Sequence, residues 1–224
     1  MKRIVMNNIQ ASGTMTAAEY KSKYGNAMYS FNIAEGAVLV KDCTFGQNGY
    51  NCFEIGLSTT VKPPKKIDII NCDFTGVLTN NAISVFATQD NAEINIKGCH
   101  FASTSNMLRI SNRTNAKNVT INIEDCVIDK WEADPMYGGF LLMQDYTSKN
   151  MDQFNEANPF SKEKLTINVK NMIHAGKRIK VDNIEACVNC NNSNQIAYIY
   201  IGGVPADYRY PAYDPAIFPE FNIK

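Results

Sequence analysis

Residues 94–101 read Ile-Asn-Ile-Lys-Gly-Cys-His-Phe, and the pattern of this octapeptide recurs along the chain. Equivalent segments occupy residues 38–45, 67–74 and 121–128. Each segment has two apolar residues separated by one position, then a turn-type residue, a cysteine and a further apolar residue. Their cysteines are spaced by 29, 27 and 27 residues: Cys43, Cys72, Cys99 and Cys126. The chain is therefore built from a repeat of about 27 residues, a period that is typical of solenoids and propellers.

Two further copies extend the repeat at both ends. A fifth copy at 167–174 has Met172 at the cysteine position, and a degenerate first copy at 4–11 has Ile9 there. Each copy begins with the period-2 alternation of a β-strand, and the Asn, Asp or Gly before the cysteine favours a bend in left-handed backbone geometry. A second strand is predicted after most bends: 29–34, 51–56, 82–87, 107–112 and 140–145.

The absence of a hairpin dipeptide between the two strands favours the coil of a parallel β-helix over a four-stranded propeller blade. Equivalent residues then stack on successive rungs about 4.8 Å apart. We expect an inward-facing ladder of Cys43, Cys72, Cys99 and Cys126 beside a second core ladder: Phe45, Phe74, Phe101 and Ile128.

A metal site is the functional alternative for the cysteines. Single, evenly spaced cysteines differ from the paired spacing of zinc sites, and the pair Cys187 and Cys190 has no second pair or nearby His. The seven cysteines are an odd number, which favours reduced thiols over disulfides. We therefore predict core packing, with no metal and no cofactor.

Composition limits the partners. The 224 residues include 22 Lys plus Arg and 22 Asp plus Glu, so the net charge is zero. A balanced chain of this kind is not expected to bind nucleic acid or an anionic membrane electrostatically. The first residues turn polar at once, without the apolar stretch of a secretory signal, and no run is long enough to span a bilayer. We predict one domain that folds in the cytoplasm.

The repeat fails in two places, where we expect function. The spacing between the fourth and fifth copies rises to 46 residues, which defines an insertion over 129–164 that contains Trp131 and Tyr137. Insertions in solenoids map to loops on one face, often the binding face. A short helix is predicted over 148–158. After Met172, a further rung is predicted over 178–190 and a strand over 195–203.

The second departure is residues 204–224, an extended arm rich in Pro and aromatic residues. Its aromatic side chains are expected to dock into grooves: Tyr208, Tyr210, Tyr213, Phe218 and Phe221. Those grooves belong either to the last rung of the same subunit, which the arm would cap, or to a neighbour. Both alternatives are open and compatible.

Catalytic groups are not evident. Glycoside cleavage needs two placed carboxylates, whereas the outward carboxylates of the repeat alternate with Asn and Lys and predict a mixed solvated face: Asp68, Glu93, Glu124 and Asp125. The tripeptide 178–180, Arg-Ile-Lys, resembles a polygalacturonase signature. The other motifs of that family, Asn-Thr-Asp, Asp-Asp and Gly-His-Gly, do not occur, and neither His100 nor His174 has such a context.

The repeat resembles the right-handed parallel β-helix of the pectate-lyase-like group, well over 38–128 and loosely over 1–203. Short β-helices without a catalytic motif but with an aromatic arm are similar to virion proteins of tailed bacteriophages. The resemblance implies an all-β, single-domain solenoid (1–203) with a C-terminal arm (204–224). It also implies a non-enzymatic capsid-decorating, head-fibre or tail protein that binds other virion proteins and itself, for instance as a trimer. Its alternative is a carbohydrate-active β-helix protein, and a third is a bacterial scaffold.

Overall fold

The fold is all-β with one short helix among the described residues. A computed structural model describes residues 2–31, 36–57, 62–131, 139–145, 160–174, 176–180, 184–191, 194–201 and 219–224. The helix α1 is Ala17–Tyr24. The strands follow in chain order: β1 Lys2–Asn7, β2 Gln10–Ala11, β3 Ala27–Phe31, β4 Gly36–Lys41, β5 Thr44–Phe45, β6 Asn51–Ile55, β7 Lys66–Ile70, β8 Asp73–Val85, β9 Glu93–Lys97, β10 His100–Ile110, β11 Val119–Glu124, β12 Val127–Trp131, β13 Gly139–Asp145, β14 Leu165–Lys170, β15 Ile173–His174, β16 Lys177–Arg178, β17 Ile184–Asn191, β18 Asn194–Ile201 and β19 Glu220–Ile223.

The strands that begin each repeat form one parallel sheet. In the part of the chain that the structure describes, this sheet has seven strands in the order β1-β4-β7-β9-β11-β14-β19. Its register places the first apolar residue of each copy on one row: Ile4, Val38, Ile67, Ile94, Ile121, Ile167 and Phe221. The predicted repeat is therefore confirmed, including the degenerate first copy. Although 46 residues separate equivalent positions of β11 and β14, the two strands pair in parallel in the register of the repeat.

A second sheet contains the predicted second strands. β3, β6, β8, β10 and β13 pair in parallel, with β10 between β8 and β13. The prediction of a further rung over 178–190 is wrong. β17 and β18 form an antiparallel pair, and β18 runs antiparallel to β13, so β17 lies at the edge of this sheet and is not part of a parallel rung. The strand predicted over 195–203 is confirmed as β18.

The bend of every described rung has the left-handed backbone conformation predicted from its residue type. The φ angles lie between 49° and 61° at equivalent positions: Asn8, Asp42, Asn71, Gly98, Asp125 and Asn171. At Gly98 the space is restricted as well, because a Cβ would lie 2.6 Å from Oδ1 of Asn71. The bends of successive rungs are thus stacked on one another.

Core ladders fill the space between the sheets. Cys43, Cys72, Cys99 and Cys126 are at most 1% exposed, and Met172 continues the row. The rings of Phe74 and Phe101 stack at 4.6 Å between centroids, with an angle of 11° between their planes. The ring centroid of Phe45 lies 5.2 Å from that of Phe74 in the same row. Repetition of one residue type on successive rungs therefore produces close packing along the core.

The helix α1 was not anticipated. Thr16 accepts a hydrogen bond from the backbone of Glu19, and the Glu19 carboxylate accepts from the backbone of Thr16, which makes a capping box. The sequence Thr-Ala-Ala-Glu at 16–19 carries this signature. With eight residues, α1 is too short to cross a bilayer, and the described residues contain no longer helix. The helix predicted over 148–158 lies outside the described residues.

The end of the predicted arm is part of the first sheet. Residues 220–223 form β19, which pairs in parallel with β14, so that Phe221 lies opposite Ile167. Phe221 and Ile223 pack against the apolar core. Of the two alternatives for the arm, this segment follows the one in which the chain extends its own last rung.

Candidate functional site

A groove crosses the outer face of the first sheet near β11, β14 and β19. Its volume is about 580 Å³. Polar side chains predominate in its lining, which comprises Lys97, Asn122, Ile123, Glu124, Asn168, Val169, Lys170, Asn222 and Lys224. The period-2 alternation of the strands positions these groups, since the residues between them point into the core.

A ladder of amides runs along the groove and continues beyond it. We define the outer amide ladder as Asp68, Asn95, Asn122, Asn168 and Asn222. Each Asn Nδ2 donates to the side-chain oxygen of the preceding member, at 2.7, 2.8, 2.8 and 3.0 Å in that order. The spacing of adjacent rungs, about 4.8 Å, allows identical amides to bond in a continuous row. Much of the hydrogen-bonding capacity of the groove is therefore used between rungs.

A row of alternating charges lies beside the outer amide ladder. The Glu124 carboxylate is 3.4 Å from Nζ of Lys97 and also accepts a hydrogen bond from Nζ of Lys170. The hydrogen bond and charge of Lys170, followed by those of Lys97, lower the pKa of Glu124. Lys170 has a raised pKa for the reciprocal reason. Glu124 is thus held as a carboxylate, the opposite of what a general acid requires.

The cysteine ladder is core rather than a reactive site. Each thiol donates to backbone carbonyls of its own or the preceding rung, as Cys99 does to the carbonyl of Ile69 at 3.4 Å. The neighbouring thiols of Cys126 and Cys72, together with burial, raise the pKa of Cys99 well above its usual value. Burial raises the pKa of Cys43 as well. Hydrogen bonds with the Cys99 thiol lower the pKa of Cys72 and of Cys126, so the pKa values shift in both directions along the row. All four thiols are at most 1% exposed, so none of them is accessible to a substrate or a metal ion in solution.

A cluster of two carboxylates around a histidine lies on the second sheet. The ring of His100 contacts Asp73 through Nδ1 at 2.8 Å and Asp129 through Nε2 at 2.7 Å. Partial burial lowers the pKa of His100, but the hydrogen bonds and charges of Asp129 and Asp73 outweigh it, and the pKa lies above 6.5. No partner of His100 was predicted from the sequence, although Asp73 precedes it by one 27-residue period and Asp129 follows in the next copy.

A second amide ladder, inside the fold, also escaped prediction. Asn106 donates to Asn81 and Asn81 donates to Asn51, both at 3.2 Å, and these residues are at most 2% exposed. Asn51 in turn donates to Glu54 at 3.0 Å. This ladder could have been predicted, because the three asparagines occupy equivalent positions at the start of, or directly before, the predicted second strands of three copies.

The predicted contact residues are only partly described. Tyr137, Tyr208, Tyr210, Tyr213 and Phe218 lie outside the described residues, and for Trp131 only the backbone, at the end of β12, is described. Phe221 is in β19, against the core. The described part of the structure does not bring these residues together into one surface.

The remaining candidates are structural. Arg178 donates to Oδ1 of Asn171 at 2.7 Å, and Ile179 is buried, so the tripeptide 178–180 closes the end of a rung. His174 is 2% exposed and follows Ile128 in the second core ladder. Within the described ranges, no group of three or more His, Cys, Asp or Glu residues is arranged to hold a metal ion.

Comparisons with known proteins do not place the chain in a family. No family model, no curated protein and no solved structure matches it significantly.

Proposed function

We propose that this chain is a non-enzymatic structural protein of a tailed-bacteriophage particle, where it binds other virion proteins and itself. The observation that carries the proposal is the use of polar side chains in the groove. Asn122, Asn168 and Asn222 bond to one another along the outer amide ladder, and Glu124 is paired with two lysines. Side chains that form hydrogen bonds and ion pairs between adjacent rungs stabilise the stack. This suits a structural protein, which must resist unfolding.

The proposal includes a right-handed parallel β-helix. Successive strands of the first sheet are parallel and are joined through the second sheet. Connections between parallel strands of one sheet are right-handed in nearly all proteins. Each repeat would then form one coil, with the two core ladders on its inside and the groove on its outside.

The chemistry of the groove supports a non-catalytic role. Hydrolysis of a glycosidic bond uses a protonated carboxyl with a raised pKa near a second carboxylate. Glu124 is the carboxylate among the groove's described lining residues, and its pKa is lowered. Its neighbours Lys97 and Lys170 neutralise it on both sides.

Localisation on particles is the direct test of this role. An antibody against the chain would be applied to phage particles purified from lysates of the host that carries the gene, and gold labelling would be imaged. We expect label at a fixed position on the head or tail. Label confined to host debris, with particles unlabelled, would reject a virion role, and unrelated purified particles are the control.

A carbohydrate-binding function is the second candidate, and the groove itself favours it. The groove has a volume of about 580 Å³ and is lined with amide and ammonium groups, which can donate hydrogen bonds to the carboxylate and hydroxyl oxygens of acidic polysaccharides. A glycan array together with assays for reducing ends and unsaturated products would separate the candidates. Binding that is lost in Lys97→Ala and Lys170→Ala variants would favour the second candidate, and product formation would overturn the non-enzymatic proposal.

A further inference from the structure

The two ends of the first sheet carry complementary side chains. β1 and β19 are the edge strands of the sheet that the described residues form. In the register of the sheet, Arg3 heads the row that runs through Lys66 and Glu93 and ends at Glu220. Arg3 and Glu220 are both exposed. A row that begins with a cation and ends with an anion can be continued by a second copy of the same chain.

The apolar rows have the same property. Ile4 begins one inward-facing row, which ends at Phe221, and Met6 begins another, which ends at Ile223. All four side chains are only partly buried, although the residues between them in these rows are at most 2% exposed. Val5 is 46% exposed on the same edge. The ends of the core rows are thus the places where a further strand would complete the burial.

The backbone geometry matches as well. The Asn8 N–H donates to Lys41 on β4, so the N–H of Asn7 points away from β4, because alternate residues of a strand address opposite neighbours. The Lys224 N–H donates to the carbonyl of Val169 on β14, and the Lys224 carbonyl accepts from the N–H of Asn171, which follows β14 directly. The backbone N–H and C=O of Ile223 therefore point away from β14. With Met6 of one copy opposite Ile223 of another, the Asn7 N–H would donate to the Ile223 carbonyl.

We infer that copies of this chain stack head to tail, with β1 of one copy pairing in parallel with β19 of the next. The register would be Arg3 opposite Glu220, Ile4 opposite Phe221 and Met6 opposite Ile223. This pairing is β-strand addition between different surfaces of the two copies. Because each added copy would continue the sheet in the same direction, it leads to linear stacks. The inference deepens the proposed function by naming the surface and the partner for self-association.

Sedimentation velocity and light scattering of the full chain over a range of concentrations test the inference. We expect the average mass to rise progressively, as in an open series of monomer, dimer and longer stacks. Asn7→Pro removes the donor that faces the next copy and leaves the bonds to β4 in place, since those involve the alternate residues. We expect it to weaken association about tenfold or more, whereas Asn7→Ala, which keeps the N–H, is the matched control.

Charge exchange tests the register. Arg3→Glu and Glu220→Arg each place like charges opposite one another and are expected to weaken association about threefold to tenfold. The double variant with both changes restores an opposite pair and should return to within about twofold of the wild type. A rescue of this kind depends on the register and would not result from a loss of folding, which circular dichroism checks for each variant.

The outcomes separate this inference from the proposed function. A chain that stays monomeric, or a closed oligomer that Asn7→Pro does not affect, overturns head-to-tail stacking even if the chain labels phage particles. Linear stacks that respond to both sets of variants support the inference even if no particle is labelled, and in that case the virion role alone fails.

Discussion

Replacement of Phe74 by alanine tests whether the core ladders carry the stability of the fold. Phe74 is 1% exposed, and its ring contacts Phe101 at 4.6 Å, Phe45 at 5.2 Å and Phe53 at 5.8 Å. Truncation of a buried Phe costs about 3–5 kcal/mol, and each aromatic pair adds about 0.5–1.5 kcal/mol beyond burial. Because three rings lose a partner, we expect a loss of about 5 kcal/mol in the free energy of unfolding.

Urea unfolding followed by far-ultraviolet circular dichroism measures this loss. With a denaturant slope of about 2–3 kcal/mol/M, the midpoint should fall by about 2 M. Tyr24→Ala is the matched control, since that ring is 53% exposed on α1, and surface changes of this kind stay within about 0.5 kcal/mol. A loss below about 1 kcal/mol for Phe74→Ala would refute the view that stacked rungs form one tightly packed core.

Three further predictions concern the ladders and the bends. Asn122→Ala removes a middle member of the outer amide ladder and should lower the free energy of unfolding by about 1–3 kcal/mol, because both its hydrogen-bond partners lose their bond; an unchanged urea midpoint would argue against the ladder. At Gly98, where φ is 61°, Val should reduce the thermal midpoint far more than Asn, the residue type that other bends use, and equal effects would contradict the backbone argument. Because the pKa of His100 is raised in the folded protein, its ion pairs with Asp73 and Asp129 contribute to stability below about pH 6.5, and this contribution declines as the pH rises through the folded-state pKa. His100→Gln should remove this pH dependence, which stays below about 1 kcal/mol because these side chains are partly exposed. An identical pH profile of the free energy of unfolding in both proteins would be evidence against the ion pairs.

The repeat made much of the fold predictable from sequence. Cys99 and its equivalents set the register, and the alternation before each of them identifies which residues point inward. The turn-type residue before each ladder position, which is a cysteine in four copies and Ile9 or Met172 in the other two, predicted a left-handed bend, and all six described bends have it. These features are local and recur in each copy, so one correct copy determines the others.

Other features depend on information that the pattern does not carry. Period-2 alternation does not specify strand direction, so the sequences of β17 and β18 are compatible with a parallel rung as well as with the antiparallel pair that these strands form. The many proline and aromatic residues in 204–218 predicted an extended arm over 204–224, so the strand β19 within it was not predicted. The partners of His100 can be identified only when residues about one repeat apart are compared across the sheet. Sites on a stacked fold are assembled between copies, and a single copy does not show them.

Isotope-edited NOE spectroscopy of the unmodified chain tests the stacking of rungs most directly. The critical strands are β11 and β14, which the insertion separates by 46 residues in sequence but which pair in parallel with Asn122 opposite Asn168. We predict cross-strand NOEs between the backbones of residues 121–123 and 167–169 in that register, and between β9 and β11 in the equivalent register. Antiparallel or shifted contacts, or an absence of contacts between these strands, would contradict the stacked arrangement on which the proposals depend.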